Sequence, residues 1–259
     1  MSIYDGEVIF SCRDESGVID VVEEAKTRSL HFGTVARQTT MFRSEPQTLA
    51  LSYTRCMMTG LLFVEPVRSA LILGLGGGAL ARFLLHYFPE CRIDAVEKRM
   101  RVVEVARAFF ELPVEERLKI SVGRAEDFLR RCKEGAYDLV LVDIHDSDGM
   151  ALGQAEIGFF ARCRRLMSDR GLLVINLWSG EKRQVLRRVS GELQRCFAAQ
   201  VMELPVAGKS NKVALAFSFP IPKKVLSQVR ERAEELEGRT GVELEQLLED
   251  LIWHNRRWT

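Results

Sequence analysis

The chain has 259 residues, 47% of them apolar, enough for one large core with a small extension. Lys and Arg (37) nearly balance Asp and Glu (36), which argues against a nucleic acid or an acidic membrane as the main partner. No apolar stretch reaches transmembrane length, and Met1-Ser-Ile-Tyr-Asp5 lacks the pattern of a signal peptide. The six cysteines (12, 56, 91, 132, 163, 196) are scattered without a C-x-x-C pair and read as reduced thiols, so a cytoplasmic protein is expected. The four histidines (31, 86, 145, 254) show no metal-ligand spacing, and no metal is expected.

Residues 1–45 read as a small β region. Glu7–Phe10, Gly17–Val21, Ser29–Phe32 and Thr34–Thr39 are runs of strand formers, punctuated by turns at Ser16-Gly17 and Phe32-Gly33. From Pro46 to Phe63 the rhythm becomes helical, with Leu49, Tyr53, Met57 and Leu61 on one face.

Strand and helix patterns then alternate to about residue 219. The predicted strands are Ala70–Leu73, Ile93–Val96, Ile120–Val122, Leu139–Val142, Leu172–Leu177, Gln200–Leu204 and Lys212–Phe217. The predicted helices are Ala79–Phe88, Met100–Phe110, Ala125–Cys132, Glu156–Met167 and Lys182–Phe197. This alternation predicts a doubly wound, mostly parallel α/β sheet within a domain spanning 46–220. Residues 221–259 read as a helical hairpin: Val225, Val229 and Ala233 share one face, Gly238 and Gly241 interrupt, and Leu244, Leu247, Leu248 and Leu251 resume. Its end, Trp253 to Trp258, could pack on the sheet or on a second copy as a homodimer.

The first strand of the alternating region breaks at Gly74-Leu-Gly76-Gly77-Gly78, four glycines in five residues, before a helix start at Ala79. Such a turn lets the backbone approach a ligand closely. Glu97 ends the next strand, 23 residues beyond Gly74. A carboxylate there can accept hydrogen bonds from both ribose hydroxyls, so the pair predicts a nucleoside-containing ligand. Gly74, Glu97, Gly123 and Asp143 all fall at strand ends, on the sheet edge where α/β folds bind ligands. Asp143 and Asp146, in Tyr137-Asp-Leu-Val-Leu-Val-Asp143-Ile-His-Asp146, suit stabilisation of a cationic substrate and deprotonation of an amine. Alternatively, Asp146 or Asp148 caps the next helix.

From about residue 17 to residue 219 the chain resembles the spermidine synthase (polyamine aminopropyltransferase) family. The resemblance rests on Gln38, the Tyr53 segment, the glycine loop, Val96-Glu97, and Gly123-Arg-Ala-Glu-Asp-Phe-Leu129. It continues through Tyr137-Asp138, Asp143-x-x-Asp146, Glu156-x-x-x-Phe160 and Gly171-Leu-Leu-Val-Ile-Asn176. It implies a Rossmann-like class I S-adenosylmethionine-dependent methyltransferase fold behind a small N-terminal β domain. It also implies transfer of an aminopropyl group from decarboxylated S-adenosylmethionine to a putrescine-type amine. Carried over by position, Glu97 would hold the ribose, and Gln38 and Tyr53 would line the donor pocket with Gly74, Gly76, Gly77, Gly78 and Gly123. Asp143 would be the base, and Asp146 would help bind the amine.

The chain departs from that pattern at four places. Gly77 stands where the family carries an aspartate that pairs with the donor's aminopropyl ammonium. Arg124 stands where its aspartate contacts adenine, leaving Glu126 or Asp127 as candidates for that contact. Ser147 replaces a proline, and Pro205–Lys212 lacks the tyrosine that faces the acceptor. These departures leave two further readings open. One is a methyltransferase using intact S-adenosylmethionine; the other is a non-catalytic module that binds a nucleoside or polyamine.

Overall fold

The computed structural model describes residues 3–146, 149–150, 158–178, 183–221 and 226–256. The chain begins with an antiparallel meander, β1 (Glu7–Asp14), β2 (Gly17–Glu23), β3 (Thr27–His31) and β4 (Arg37–Phe42), in sequential order. The predicted fourth strand starts three residues late, because Gly33 (φ 68°) opens a loop that runs to Ala36. One face of this sheet packs Ile19, Val21, Leu30 and Met41 against Val102, Val105 and Phe110 of the main domain.

The helix expected over 46–63 is much shorter. α1 covers Ser52–Met57 and tightens into a 3-10 turn over Met58–Leu62, while Leu49 instead makes an isolated bridge with Met41. The cause lies in the sheet beneath: a Cβ on Gly60 would stand 2.6 Å from Val174. The apolar face is real, but the backbone lies too close to the sheet for ordinary side-chain spacing.

The alternating region then runs β5 (Ser69–Leu73), α2 (Ala79–Tyr87), β6 (Arg92–Glu97), α3 (Met100–Phe109), β7 (Leu118–Val122), α4 (Ala125–Arg131) and β8 (Tyr137–Val142). A short hairpin follows, β9 (His145–Asp146) with β10 (Gly149–Met150). Then come α5 (Phe159–Leu166), β11 (Met167–Trp178), α6 (Arg183–Cys196), β12 (Val201–Pro205) and β13 (Asn211–Phe217). The start predicted for α5 at Glu156 lies outside the described residues.

Seven strands form one sheet in the order β12-β13-β11-β8-β5-β6-β7. β5 to β8 and β11 are parallel, and β13 enters antiparallel to β11. This is the class I S-adenosylmethionine-dependent methyltransferase arrangement, as the family resemblance implied, on the mostly parallel sheet that the alternating pattern predicted. The chain steps outward from β5 to β7, then returns to lay β8 on the other side of β5. That reversal opens a crevice beyond the carboxyl ends of β5 and β8.

The strands read as continuous apolar runs because both faces are covered. Ala70, Ile72, Leu139, Leu141, Leu172 and Val174 face one layer, with α2, the 3-10 turn and the C-terminal helices. Leu71, Leu73, Val140, Val142, Leu173 and Ile175 face the other, with α4, α5 and α6. The period of two along each strand sorts the residues between the two cores.

The C-terminal helices are α7 (Leu226–Thr240) and α8 (Leu244–His254). Val225 and Trp258, which the sequence reading included, lie outside the described residues. Val229, Ala233, Leu244, Leu248 and Leu251 join the same core as Leu61 and Leu204. Arg232 ties α7 to the 3-10 turn by donating to the carbonyls of Leu61 (2.7 Å) and Val64 (3.0 Å). Asn255 imitates a neighbouring strand for β12: its Oδ1 accepts from Glu203 N (3.0 Å) and its Nδ2 donates to Glu203 O (2.8 Å). That pairing blunts the sheet edge. All six cysteines are free thiols, and among the described residues no helix is long and apolar enough to cross a membrane.

Candidate active site

A cavity of about 330 Å³ opens at the carboxyl ends of the parallel strands, a volume suited to a small molecule. The β5–α2 loop contributes Gly74, Leu75 and Gly76, and the segment after β6 contributes Lys98 and Arg99 beside Glu97. Gly123 to Glu126 line it after β7, and Asp143 and Ile144 after β8. The N-terminal sheet closes it with Ser16, Phe32, Gln38, Thr39 and Thr40, and α1 adds Tyr53 and Thr54.

The glycine loop is held from both sides of the crevice. Gly74 N donates to Val96 O (2.9 Å), and Asp143 N donates to Leu73 O (2.8 Å). Gly74 has φ 93°, and a Cβ there would come within 2.8 Å of the Asp143 carbonyl carbon. Glycine at this position is what lets the loop and the Asp143 backbone run side by side. Gly76 and Gly78 also take positive φ, with Gly78 as the N-cap of α2.

Glu97 anchors the loop electrostatically. Its Oε2 accepts from Leu75 N (3.1 Å) and Gly76 N (3.4 Å), and its Oε1 accepts from Arg99 N (3.0 Å). Burial pushes the carboxyl up from its ordinary value, opposed by those same amide bonds. A carboxylate has about four acceptor sites, and with two bonds at Oε2 and one at Oε1 the remaining capacity for a hydroxyl donor lies at Oε1.

Arg99, two residues on, locks the N-terminal sheet to this end of the cavity. It bonds Asp14 through Nε (2.9 Å) and Nη2 (2.8 Å), donates to Gly17 O (3.0 Å) and lies 4.5 Å over the Phe32 ring. Its guanidinium holds the Asp14 carboxyl below its usual value.

At the other side of the crevice, Asp143 Oδ2 accepts from Tyr53 Oη (3.0 Å) and Oδ1 accepts from Asn176 Nδ2 (2.9 Å). Asn176 is only 2% exposed, and its own Oδ1 accepts from Asn211 Nδ2 (3.0 Å). Burial, and then the Asp143 charge, push the Tyr53 phenol well above its ordinary value. Tyr53 is therefore a neutral donor to a carboxylate.

Eight of the residues expected from sequence line this cavity: Gln38, Tyr53, Gly74, Gly76, Glu97, Gly123, Glu126 and Asp143. Two do not. Gly77 and Gly78 are buried beneath the loop, outside the lining. Gly77 N donates to Thr39 Oγ1 (2.8 Å), and a Cβ on Gly77 would meet Thr39 Cγ2 at 2.8 Å and Phe110 at 3.1 Å. A side chain at this position is directed at the N-terminal sheet and α3. The backbone of Asp146 lies in β9, three residues beyond Asp143. Ser147 and Asp148 lie outside the described residues.

The sequence reading missed Thr39, Asn176, Asn211, Arg82 and Arg99. Arg82 is buried under the loop, its guanidinium donating to Gly77 O (2.5 Å), Phe110 O (2.6 Å) and Pro46 O (3.1 Å). Burial brings its pKa down to about 10. Asn176 carried a legible signal, as the polar residue in Leu172-Leu-Val-Ile-Asn-Leu177. The described residues contain no group of three or more metal-ligating side chains.

Comparison with known proteins places this architecture. The family model described as the spermine/spermidine synthase domain matches residues 51–204. A polyamine aminopropyltransferase of Chromobacterium violaceum is 35% identical over 240 residues, covering 92% of this chain and 91% of its own. A probable spermidine synthase from Corynebacterium glutamicum superposes with a TM-score of 0.74 at 19% identity, over 98% of this chain and 94% of that one. Human methyltransferase-like protein 13, solved in complex with SAH, superposes at 0.61 with 22% identity, over 77% of this chain and 93% of that one.

Proposed function

Because the chain belongs to the spermine/spermidine synthase family, and so is a transferase, we propose that it moves an aminopropyl group from decarboxylated S-adenosylmethionine to a small amine of the putrescine type. The observation that carries this reading is the single cavity holding two differently built carboxylates, Glu97 at the glycine loop and Asp143 beside Tyr53. We further take residues 1–45, 46–220 and 221–259 as the three units of the chain, and the cytoplasm as its location.

In this reading Glu97 accepts hydrogen bonds from the ribose hydroxyls of the donor. Gln38, Gly74, Gly76 and Gly123 border the adenosyl moiety, and Glu126 stands at its far end. Gly77 and Gly78 act indirectly, by letting the loop turn. The donor supplies a sulfonium whose departure as a neutral thioether drives the transfer. Asp143 draws in the cationic amine and takes its proton, which frees the nitrogen lone pair to attack. Tyr53 keeps the carboxylate in place as it does so. Asp146, in β9, belongs to the amine-binding side.

A second reading is methyl transfer from intact S-adenosylmethionine, supported by the superposition on human methyltransferase-like protein 13, solved in complex with SAH. Gly77 does not decide between the two, because a side chain there meets Thr39 and Phe110 beneath the loop.

Calorimetric titration with the two donors side by side separates the readings. Tighter binding of the decarboxylated donor, with methylthioadenosine released when a diamine is added, supports aminopropyl transfer. Tighter binding of the intact donor, with S-adenosylhomocysteine as product, supports methyl transfer. Failure to bind either would refute both.

A further inference from the structure

We infer that Asn176 and Asn211 are positioning residues that set the polarity of the hydrogen bonds at Asp143, with Asn211 deciding which end of the Asn176 amide the carboxylate meets. The inference rests on Asp143 as the base.

Asn176 sits near the carboxyl end of β11, 2% exposed, between apolar Ile175 and Leu177. An amide buried there costs stability unless both its ends are bonded. In the β11–β13 register Asn176 lies opposite Val213, and Asn211 lies opposite Trp178, two residues along. Residues two apart on a strand share a face, so the two asparagines are diagonal neighbours. Their side chains bridge that diagonal at 3.0 Å.

An amide has one accepting end and one donating end. Asn211 donates to Asn176 Oδ1, which leaves Asn176 Nδ2 turned to Asp143 Oδ1 at 2.9 Å. Tyr53 donates to the other carboxylate oxygen at 3.0 Å. These donors favour the ionised carboxylate, the form a base needs. Without Asn211 as a donor, the Asn176 amide is free to turn and present its oxygen to the carboxylate. Two acceptors would then face each other, and the protonated, inactive acid would gain.

The charged and titratable groups lining the same cavity are Tyr53 from α1, Glu97 at the end of β6, Lys98 and Arg99 beyond it, and Arg124 and Glu126 after β7. Lys212, next to Asn211, is paired with Glu203 at 2.7 Å. These groups are common to the parent and Asn211→Ala, so a difference between those two pH profiles reports on Asp143; Asn211→Asp adds a carboxylate of its own and is read beside them.

The test compares the parent, Asn211→Ala, Asn211→Asp and Asp143→Asn. Each is given the donor that titration selects and a diamine, and kcat/KM is followed against pH. Asn211→Asp turns a donor into an acceptor and pulls the Asn176 amide away from Asp143. It is expected to move the acid limb up by about one pH unit. Its kcat/KM should fall by up to about tenfold on the acid limb and by less at the parent's optimum, with donor affinity held within twofold. Asn211→Ala, a mild change at a half-buried strand end, is expected to move the limb in the same direction by less. Asp143→Asn is the reference: full turnover in that variant removes the base on which the inference rests. Loss of turnover there, with an unmoved acid limb in Asn211→Ala, overturns the relay itself.

Discussion

Gly77 is where donor choice can be tested against packing. A methyl group added there meets Thr39 Cγ2 at 2.8 Å, Thr39 Cβ at 3.0 Å and Phe110 Cδ1 at 3.1 Å, against the 3.5–4.0 Å of ordinary carbon contacts. Position 77 lacks the positive φ of its neighbours, so the cost is packing rather than backbone strain. Overpacking by a methyl costs about 1–3 kcal/mol, less about 0.4–1 kcal/mol returned through a stiffer unfolded chain. Gly77→Ala should therefore lose about 0–2.6 kcal/mol in urea unfolding. Thr39→Ala removes the nearest clashing carbon but also the acceptor for Gly77 N, worth about 1–3 kcal/mol if that amide is left bare. The double variant should then lose less than the sum, by about 0.5 kcal/mol or more. Gly77→Asp should be worse than Gly77→Ala, because its carboxylate is directed at Thr39 and Phe110 and away from the cavity. It should leave the affinity ratio of the two donors unchanged in calorimetry. A Gly77→Asp protein of parental stability that gains preference for the decarboxylated donor would refute this geometry.

Glu97→Gln turns one end of the side chain from acceptor to donor, facing either Arg99 N or the Leu75 and Gly76 amides; it should weaken donor binding by about 1.5–3 kcal/mol and also lower the melting temperature. Unchanged titration curves would count against Glu97 as the ribose acid. Asp143→Asn should lower kcat by about 10²–10⁴ while donor affinity stays near parental; a similar fall in affinity would mean that it holds the donor instead. His31 is 3% exposed, and burial, opposed by a bond to the Thr34 carbonyl, holds its pKa below the ordinary 6.5. The unfolded chain then takes up the proton first, so stability should fall as pH drops below 6.5, by up to about 1.4 kcal/mol per unit, and level off below the folded value. His31→Gln should flatten that slope in melts between about pH 7.5 and 5; parallel slopes for parent and variant would sink the assignment.

Much of the main sheet was legible because its strands are short apolar runs ended by glycine or acid, and its helices repeat at 3.6. β5 was read as Ala70–Leu73 and is Ser69–Leu73; α2 was read as Ala79–Phe88 and is Ala79–Tyr87. The misread helix over 46–63 shows what such patterns omit. Leu49, Tyr53, Met57 and Leu61 do recur at helical spacing, yet Gly60 marks a close approach to β11 that belongs to tertiary structure. Within the cavity, Gly74 and Gly77 look alike as letters. One has φ 93° beside the Asp143 backbone, and the other packs on Thr39, a residue 38 positions away. Counting glycines finds the loop but not the direction in which each would carry a side chain. Asn176 and Asn211 were invisible as a pair for the same reason: their relation is a register between β11 and β13.

The two carboxylates differ in what holds them, and this bears on how a site of this kind can diverge. Glu97 is bonded by main-chain amides of Leu75, Gly76 and Arg99, which remain whatever side chains those positions carry. Asp143 is bonded by the side chains of Tyr53 and Asn176, and Asn176 in turn by Asn211. Those partners come from α1, β11 and β13, so a substitution in any of three separate elements alters the donors at Asp143. In the proposed reading, the end assigned to the adenosyl group is held at Glu97 by the backbone, while the end assigned to the amine is held in part by side chains that can change one at a time. Of the departures, Arg124 lines the cavity after β7 and Gly77 lies beneath the loop, and neither replaces the main-chain amides that hold Glu97. A ribose acid built this way should keep its ligand through changes that redirect the transferred group, which is why titration with two donors that share the adenosyl moiety is the discriminating measurement.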